Sequence, residues 1–364
     1  MRAGRVVRPE KRFIPNMTQS SLLLASFLLA LLPASADPAL MKTAGFDLSR
    51  PEIREFVEEV ASRDKLNRKK LYKILAKAEP QPKIIDLMSK PAERVSPWWE
   101  YRERFLTQKR IDEGTQFWRD HREMLERISS QHGVPAEYLV AIIGVETFYG
   151  RITGRFRVLD ALATLAFDYP PRANFFRSEL EEFLMLALEE DVDPLKTLGS
   201  YAGAMGVPQF MPSSYRKYAI DGGTDNKRNL WKDSDDVLAS VANYFRKNGW
   251  ETGGPVIVDA VLDPDAVFTI DTRNLELNQT LDSLSKLGVQ TNAGLPGNTP
   301  AMVISAEQKD GPAYRVAFNN FRTITRYNRS VRYAMAVNDL AQALRAQVDS
   351  APAPAVGAPT SGKR

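Results

Sequence analysis

The sequence predicts a mainly α fold with a small β-containing segment, and three observations carry that expectation. Apolar residues recur at helical spacing from Ser49 to Lys247 and again after Ser330. Short β-branched runs, Val256 to Val261 and Ala301 to Ile304, are confined to the stretch between Gly253 and Gly311 and are bounded by Gly, Pro, Asn and Asp. A chain of 364 residues that is 43% hydrophobic has enough apolar surface for one large or two modest cores.

The helices follow in order. Ser49 and Glu52 have the spacing of a capping box with Pro51 inside it, ahead of Ile53, Phe56, Val57 and Val60 on one face. A second run carries Leu71, Ile74 and Leu75 and stops at Glu79-Pro80. Thr115 to Gln131 places Phe117, Leu125 and Ile128 on one stripe, with Gly133 as terminator. Val158 to Asp168, Arg172 to Glu190 and Val237 to Lys247 repeat the pattern, and helix resumes near Ser330. From Ala351 the chain is Pro, Ala, Gly and Ser, a composition that buries too little surface to fold. There is no internal repeat.

The N-terminus reads as an address. A basic stretch ends at Arg12, an eleven-residue apolar run spans Leu22 to Leu32, and Ala34-Ser35-Ala36 precedes Asp37. The run is well short of the roughly 20 residues that span a bilayer, so a cleaved secretory signal over residues 1–36 is expected rather than an anchor. Residues 1–36 also hold five of the 49 basic residues and one of the 45 acidic ones, which leaves 44 of each in the body. A neutral body offers no broad footprint for phosphate backbones and argues against nucleic acid as a partner.

The absence of cysteine excludes a thiol nucleophile, a cysteine zinc site and a lipid-modified N-terminal cysteine. His121 and His132 are the only histidines and both sit on a polar helix, which disfavours a Ser-His-Asp triad. Catalysis falls to carboxylates, in a soluble exported protein.

The sharpest local feature is the helix from Pro135 to Gly150, where Leu139, Val140, Ala141, Ile142, Ile143 and Val145 make it apolar almost all round. It ends on Glu146. Apolar neighbours and the negative end of the helix dipole both disfavour an ionised carboxylate there, so the pKa should rise, as a general acid near neutral pH requires. From the helix alone two readings stand: an acid catalyst, or a structural glutamate paired with Arg151 or Arg155. The small-residue stretch Gly199 to Tyr215 adds weight to the first. Its backbone admits close approach of a ligand, Ser200 and Gln209 offer hydrogen bonds, and Met205 or Phe210 would pack on a sugar face. Tyr327-Asn328 and Tyr333 add amphipathic side chains further on.

These residues resemble the lytic murein transglycosylases of the B type, membrane-bound and soluble. The resemblance rests on Val145-Glu146-Thr147-Phe148-Tyr149-Gly150, Leu159-Asp160-Ala161-Leu162-Ala163-Thr164-Leu165, Tyr169-Pro170 with Arg172, and Gly203-Ala204-Met205-Gly206 leading into Gln209-Phe210-Met211-Pro212-Ser213-Ser214-Tyr215. It continues through Ser240-Val241-Ala242-Asn243-Tyr244-Phe245 and Ile324-Thr325-Arg326-Tyr327-Asn328, from about Phe46 to Leu344. It implies a lysozyme-like catalytic core over residues 95–250 and 312–348, an N-terminal helical region over 37–94, a β-containing insertion over 251–311 and a disordered tail over 349–364.

The resemblance also implies roles. Glu146 matches the catalytic glutamate. Ser200, Gln209, Tyr244, Tyr327, Asn328 and Tyr333 match saccharide-binding or active-site positions, and Tyr101 resembles another. Arg172 matches one of a pair of basic residues that meet the peptide or carboxylate part of the substrate, and Pro171 stands where its companion would be. The expected partners are peptidoglycan glycan strands, with other cell-wall enzymes as candidates, in the periplasm. The expected activity is non-hydrolytic cleavage by one carboxyl group, giving 1,6-anhydromuramoyl products, with a hydrolytic muramidase or a non-catalytic peptidoglycan-binding protein as the alternatives.

The family often has an EF-hand-like calcium loop where this chain reads Asp221-Gly222-Gly223-Thr224-Asp225-Asn226-Lys227-Arg228-Asn229. Asp221, Asp225 and Asp236 are candidate ligands for a structural Ca²⁺, but Gly223 removes one and Lys227 and Arg228 crowd the loop. A metal-free turn and no required cofactor are expected.

Overall fold

The computed structural model describes residues 45–89, 96–190, 192–266 and 270–350. The expected export signal and the C-terminal tail from Ala351 lie outside them, while Asp349 and Ser350, expected in that tail, end the last helix.

The chain opens with α1 (Pro51–Arg63), which buries Ile53, Phe56, Val57 and Val60, then α2 (Arg68–Leu75) and α3 (Pro82–Ser89). The capping box expected at Ser49 does not form. Pro51 takes the first helical position, which makes Arg50 the cap and puts Glu52 one residue too early to close the box. Glu52 instead accepts from Arg50 Nε at 2.7 Å, and the Ser49 hydroxyl donates to Asp47 at 2.6 Å.

Next come α4 (Trp98–Phe105), α5 (Gln108–Asp120) and α6 (Arg122–His132). The single helix expected from Thr115 to Gln131 is broken at His121, where φ is −116° and ψ 22°. The His121 ring stacks on Phe117 at 4.1 Å and its Nδ1 lies 2.9 Å from the Phe117 carbonyl. The break has a tertiary cause: α5 packs on α7 and α14, α6 on α7 and α11, so one apolar stripe serves two directions. Gly133, at φ +70°, ends α6 as expected.

Helix α7 (Ala136–Thr147) runs through the centre of the core, against α5, α6, α11 and α14. Beyond it, β1 (Phe156–Arg157) pairs antiparallel with β2 (Leu198–Gly199), and the chain between them forms α8 (Val158–Asp168), a 3-10 turn (Pro170–Arg172) and α9 (Ala173–Glu189). Then follow α10 (Pro212–Tyr218) and α11 (Ser234–Lys247), the latter capped by the Asp233 side chain.

The β-containing segment holds β3 (Ile257–Leu262), β4 (Gln279–Thr280), α12 (Leu281–Lys286), β5 (Val289–Thr291) and β6 (Pro300–Ser305). Its sheet takes one more strand than the expected 251–311 boundary allowed. Strand β7 (Tyr314–Ala317) pairs antiparallel with both β3 and β6, giving the order β4-β6-β7-β3-β5. Leu284, Val289, Ala301, Val303, Val316 and Phe318 form a small core of their own, apart from the main one.

Helix also resumes earlier than expected, at α13 (Asn319–Tyr327), where Phe321 and Ile324 point into the main core, before the long α14 (Val331–Ser350). Among the described residues no helix is long and apolar enough to cross a membrane.

Candidate active site

The site forms where the C-terminus of α7 meets α13, the start of α14 and the small-residue loop 199–211. After Glu146 the backbone turns through two left-handed residues, Phe148 at φ +52° and Tyr149 at φ +61°. Such conformations cost bulky residues on the order of 1–3 kcal/mol each, and the surroundings over-determine them. The Thr147 hydroxyl lies 2.8 Å from the Val207 carbonyl, and Tyr149 donates to the Arg110 carbonyl at 2.8 Å. Tyr149 fills the space left by Gly114 and Gly144, where an added Cβ would come within 2.2 and 2.7 Å of its side chain.

Glu146 is half-buried at the C-terminal end of α7. Burial pushes its carboxyl up to about 7, against the pull of Tyr333, whose hydroxyl donates to Glu146 Oε1 at 2.5 Å. The alternative of a structural ion pair finds no support: Arg151 pairs with Glu113 at 2.8 Å, and Arg155 lies exposed. Burial first, and the Glu146 charge next, hold both Tyr327 and Tyr333 well above the usual phenol range, so both keep their protons.

An aromatic wall stands beside the acid. The Tyr327 ring meets Tyr244 at 4.8 Å and Phe210 at 5.8 Å, and its hydroxyl donates to the Pro208 carbonyl at 2.6 Å. Tyr244 donates to the Arg326 carbonyl at 2.6 Å, and burial raises its pKa. Tyr101 is 3% exposed, packs on Phe105 at 5.1 Å and lies next to Tyr333. Asn328 is 6% exposed, and its buried Oδ1 has no partner among the described residues. Tyr333 and Tyr327 thus stand next to Glu146, with Tyr244 packed on Tyr327 and Tyr101 next to Tyr333.

The loop behaves less uniformly. Ser200 Oγ accepts from the amides of Ala202 at 3.3 Å and Ala204 at 2.9 Å, which leaves its proton to give. Gln209, at φ +52°, spends its amide donors on the Thr153 and Gly206 carbonyls at 3.1 and 2.9 Å. It therefore shapes the loop and has only its oxygen to offer.

Met205 and Phe210 do not stack on a ligand. They are 0% and 2% exposed, because isolated bridges from Met205 to Gly199 and to Phe210 fold the loop inward and make both side chains core. Arg172 lies over Phe175 and Phe176 at 4.5 and 5.1 Å with its Nη2 buried and unpartnered, and burial lowers its pKa.

The calcium candidates do not fit a cation site. Asp221 accepts from the amides of Gly223 and Asn226 at 2.8 and 2.7 Å, and Asp225 from Lys227 at 2.9 Å. Asp236 accepts from Gly222 and Asn229 at 2.9 and 2.6 Å, and Arg228 pairs with Glu190. The carboxylates close an amide-satisfied turn, and among the described residues no three metal-ligating acids or histidines gather. A separate polar cleft between α1 and α9, lined by Glu55, Arg63, Arg177 and Glu181, lies away from this chemistry.

The sequence alone missed Val207 and Pro208, whose contacts reach across 60 and 119 residues of chain, and the two glycines, Gly114 and Gly144, that make room for Tyr149.

A family model described as the transglycosylase SLT domain matches residues 49–342. The membrane-bound lytic murein transglycosylase B of Escherichia coli is 38% identical over 313 residues, 84% of this chain and 85% of that protein. The soluble lytic transglycosylase SltB1 of Pseudomonas aeruginosa superposes with a TM-score of 0.78 at 46% identity, covering 82% of this chain and 99% of that one. The E. coli lytic transglycosylase Slt35, solved in complex with calcium, superposes with a TM-score of 0.75 at 38% identity, covering 85% and 97%.

Proposed function

Because this chain belongs to the transglycosylase SLT family, as a lytic murein transglycosylase of the B type, we propose that Glu146 alone supplies its acid and base chemistry on peptidoglycan. The enzyme is a lyase of glycan strands. The observation that carries the one-carboxyl reading is the state of Glu146: pushed up to about 7 by burial, held by a neutral tyrosine, and shifted by no second carboxylate. A hydrolytic glycosidase of the usual kind needs two carboxyl groups.

Protonated Glu146 gives its proton to the glycosidic oxygen between N-acetylmuramic acid and N-acetylglucosamine. The C1–O bond breaks, and the acetamido group stabilises the cationic carbon. Ionised Glu146 then takes the proton of the muramoyl C6 hydroxyl as that oxygen bonds C1, closing a 1,6-anhydro ring without water. The Tyr333 hydrogen bond steadies the carboxylate between the two transfers. Ser200 has the free proton to hold the acetamido oxygen, whereas Tyr327 has committed its own to Pro208.

Residues 1–36 would direct export to the periplasm, leaving a mature enzyme that begins at Asp37.

Mass analysis of fragments released from purified peptidoglycan tests the chemistry. Muramoyl ends one water lighter than hydrolysed ends are expected. Reducing muramic acid ends would make the enzyme a hydrolase with a second carboxylate.

A further inference from the structure

The arginine next to Tyr333 in the chain has no carboxylate partner among the described residues. Arg332 precedes Tyr333 on α14, and its guanidinium lies 5.3 Å over the ring of Tyr101, the buried neighbour of Tyr333. Its Nη1 donates to the carbonyl of Ser96. The side chain is half-buried, and among the described residues no carboxylate pairs with it. Other half-buried arginines of the same region do better: Arg315 binds Asp339 at 2.8 Å and Arg345 binds Glu137 at 2.6 Å.

A partly desolvated cation anchored on an aromatic face, with N–H groups left over, is a receptor for an anion. The glycan strand carries one class of anion close to the bond being cut. Each muramoyl residue bears a lactyl group, which ends in a carboxylate on bare strands and in a peptide with its own carboxylates on strands that keep their stems.

We propose that Arg332 binds a carboxylate of the muramoyl substituent and so selects the state of the strand that this enzyme cleaves. The inference rests on the function proposed above. Tyr101 and the Ser96 carbonyl hold the guanidinium in place, which spares the entropy of ordering a long side chain when the anion arrives. The contact lies outside the bond-making steps. It therefore acts on which strand is chosen and not on what product is formed.

The test uses the full-length enzyme on four strand preparations: with stems, with stems amidated at their carboxyl groups, with stems removed to expose lactyl carboxylates, and with those carboxylates amidated. Wild type should prefer one carboxylate-bearing preparation over its amidated partner by roughly 10-fold or more in kcat/KM, the usual worth of a charge-assisted hydrogen bond. The pair that shows the preference identifies the stem or the lactyl group as the source. In Arg332→Gln the ratio should collapse toward one, and Arg332→Lys should keep part of it. Anhydro ends from wild type without any carboxylate preference, or a preference unchanged in Arg332→Gln, overturn this inference alone. Cleavage of none of the four overturns it together with the proposed function.

Discussion

Two glutamates whose acidity is lowered by burial differ in what surrounds them. Burial raises both Glu146, at the end of α7, and Glu179, on α9. Glu179 is 5% exposed, and its two oxygens accept from Ser213 N at 3.0 Å and Ser213 Oγ at 2.7 Å at the first turn of α10. Glu146 accepts one hydrogen bond, from Tyr333, and keeps some exposure. Burial alone therefore does not make a general acid. An oxygen left to the substrate does, and a fully satisfied carboxylate is a strut.

The comparison breaks most sharply in turnover. Glu146→Gln keeps the shape of the site but can neither give nor regain a proton, so kcat should fall by about 10⁴-fold or more while glycan binding persists. Glu179→Gln should lose far less turnover. The same two variants should part in the opposite sense in stability. Glu146 has a folded pKa of about 7 above an ordinary value of 4.5, so the folded chain holds a proton that the unfolded chain has lost between those values. Its burden on the fold is absent below pH 4.5 and complete above 7, and Glu146→Gln should relieve up to about 3 kcal/mol there. Glu179→Gln removes an acceptor from buried donors and should cost about 1–3 kcal/mol. Thermal melts of both variants at pH 4.5 and 8 check the pair, and a destabilised Glu146→Gln at pH 8 would contradict a raised pKa.

A smaller effect sharpens the same contrast. Tyr333 lowers the Glu146 pKa by donating to the carboxylate, so Tyr333→Phe should raise it and carry the alkaline limb of kcat/KM to higher pH. A pH–rate profile with an unmoved limb would show that this hydrogen bond leaves the acid's proton affinity unchanged. The smallest effect is expected from chelation. The Asp221, Asp225 and Asp236 carboxylates already hold loop amides, so EDTA should leave turnover intact and shift the melting temperature by no more than a degree or so. Loss of activity restored by Ca²⁺ would show that the loop rearranges around a cation.

Much of the fold was legible because helix signals are local. The spans of α7, α8 and α11, the Gly133 terminator and two of the strands follow from periodicity and breakers over a few turns of chain. The failures share a cause. The apolar stripe of α5 and α6 is continuous in sequence, and only their different packing partners break it at His121. Strand β7 looks like a short apolar run until β3 and β6 flank it.

For the site, the sequence by itself determined that an acid would stand at the end of an apolar helix, because desolvation of Glu146 follows from its own neighbours in the chain. Tertiary structure alone decided what that acid would meet. It brought Tyr333 from 187 residues away onto one oxygen and left the other open. It sent Met205 and Phe210 into the core, and set Arg332 over the ring of Tyr101 with no carboxylate partner among the described residues. Helix periodicity is written over a few residues, whereas the environment of a side chain is a sum over elements that only folding brings together.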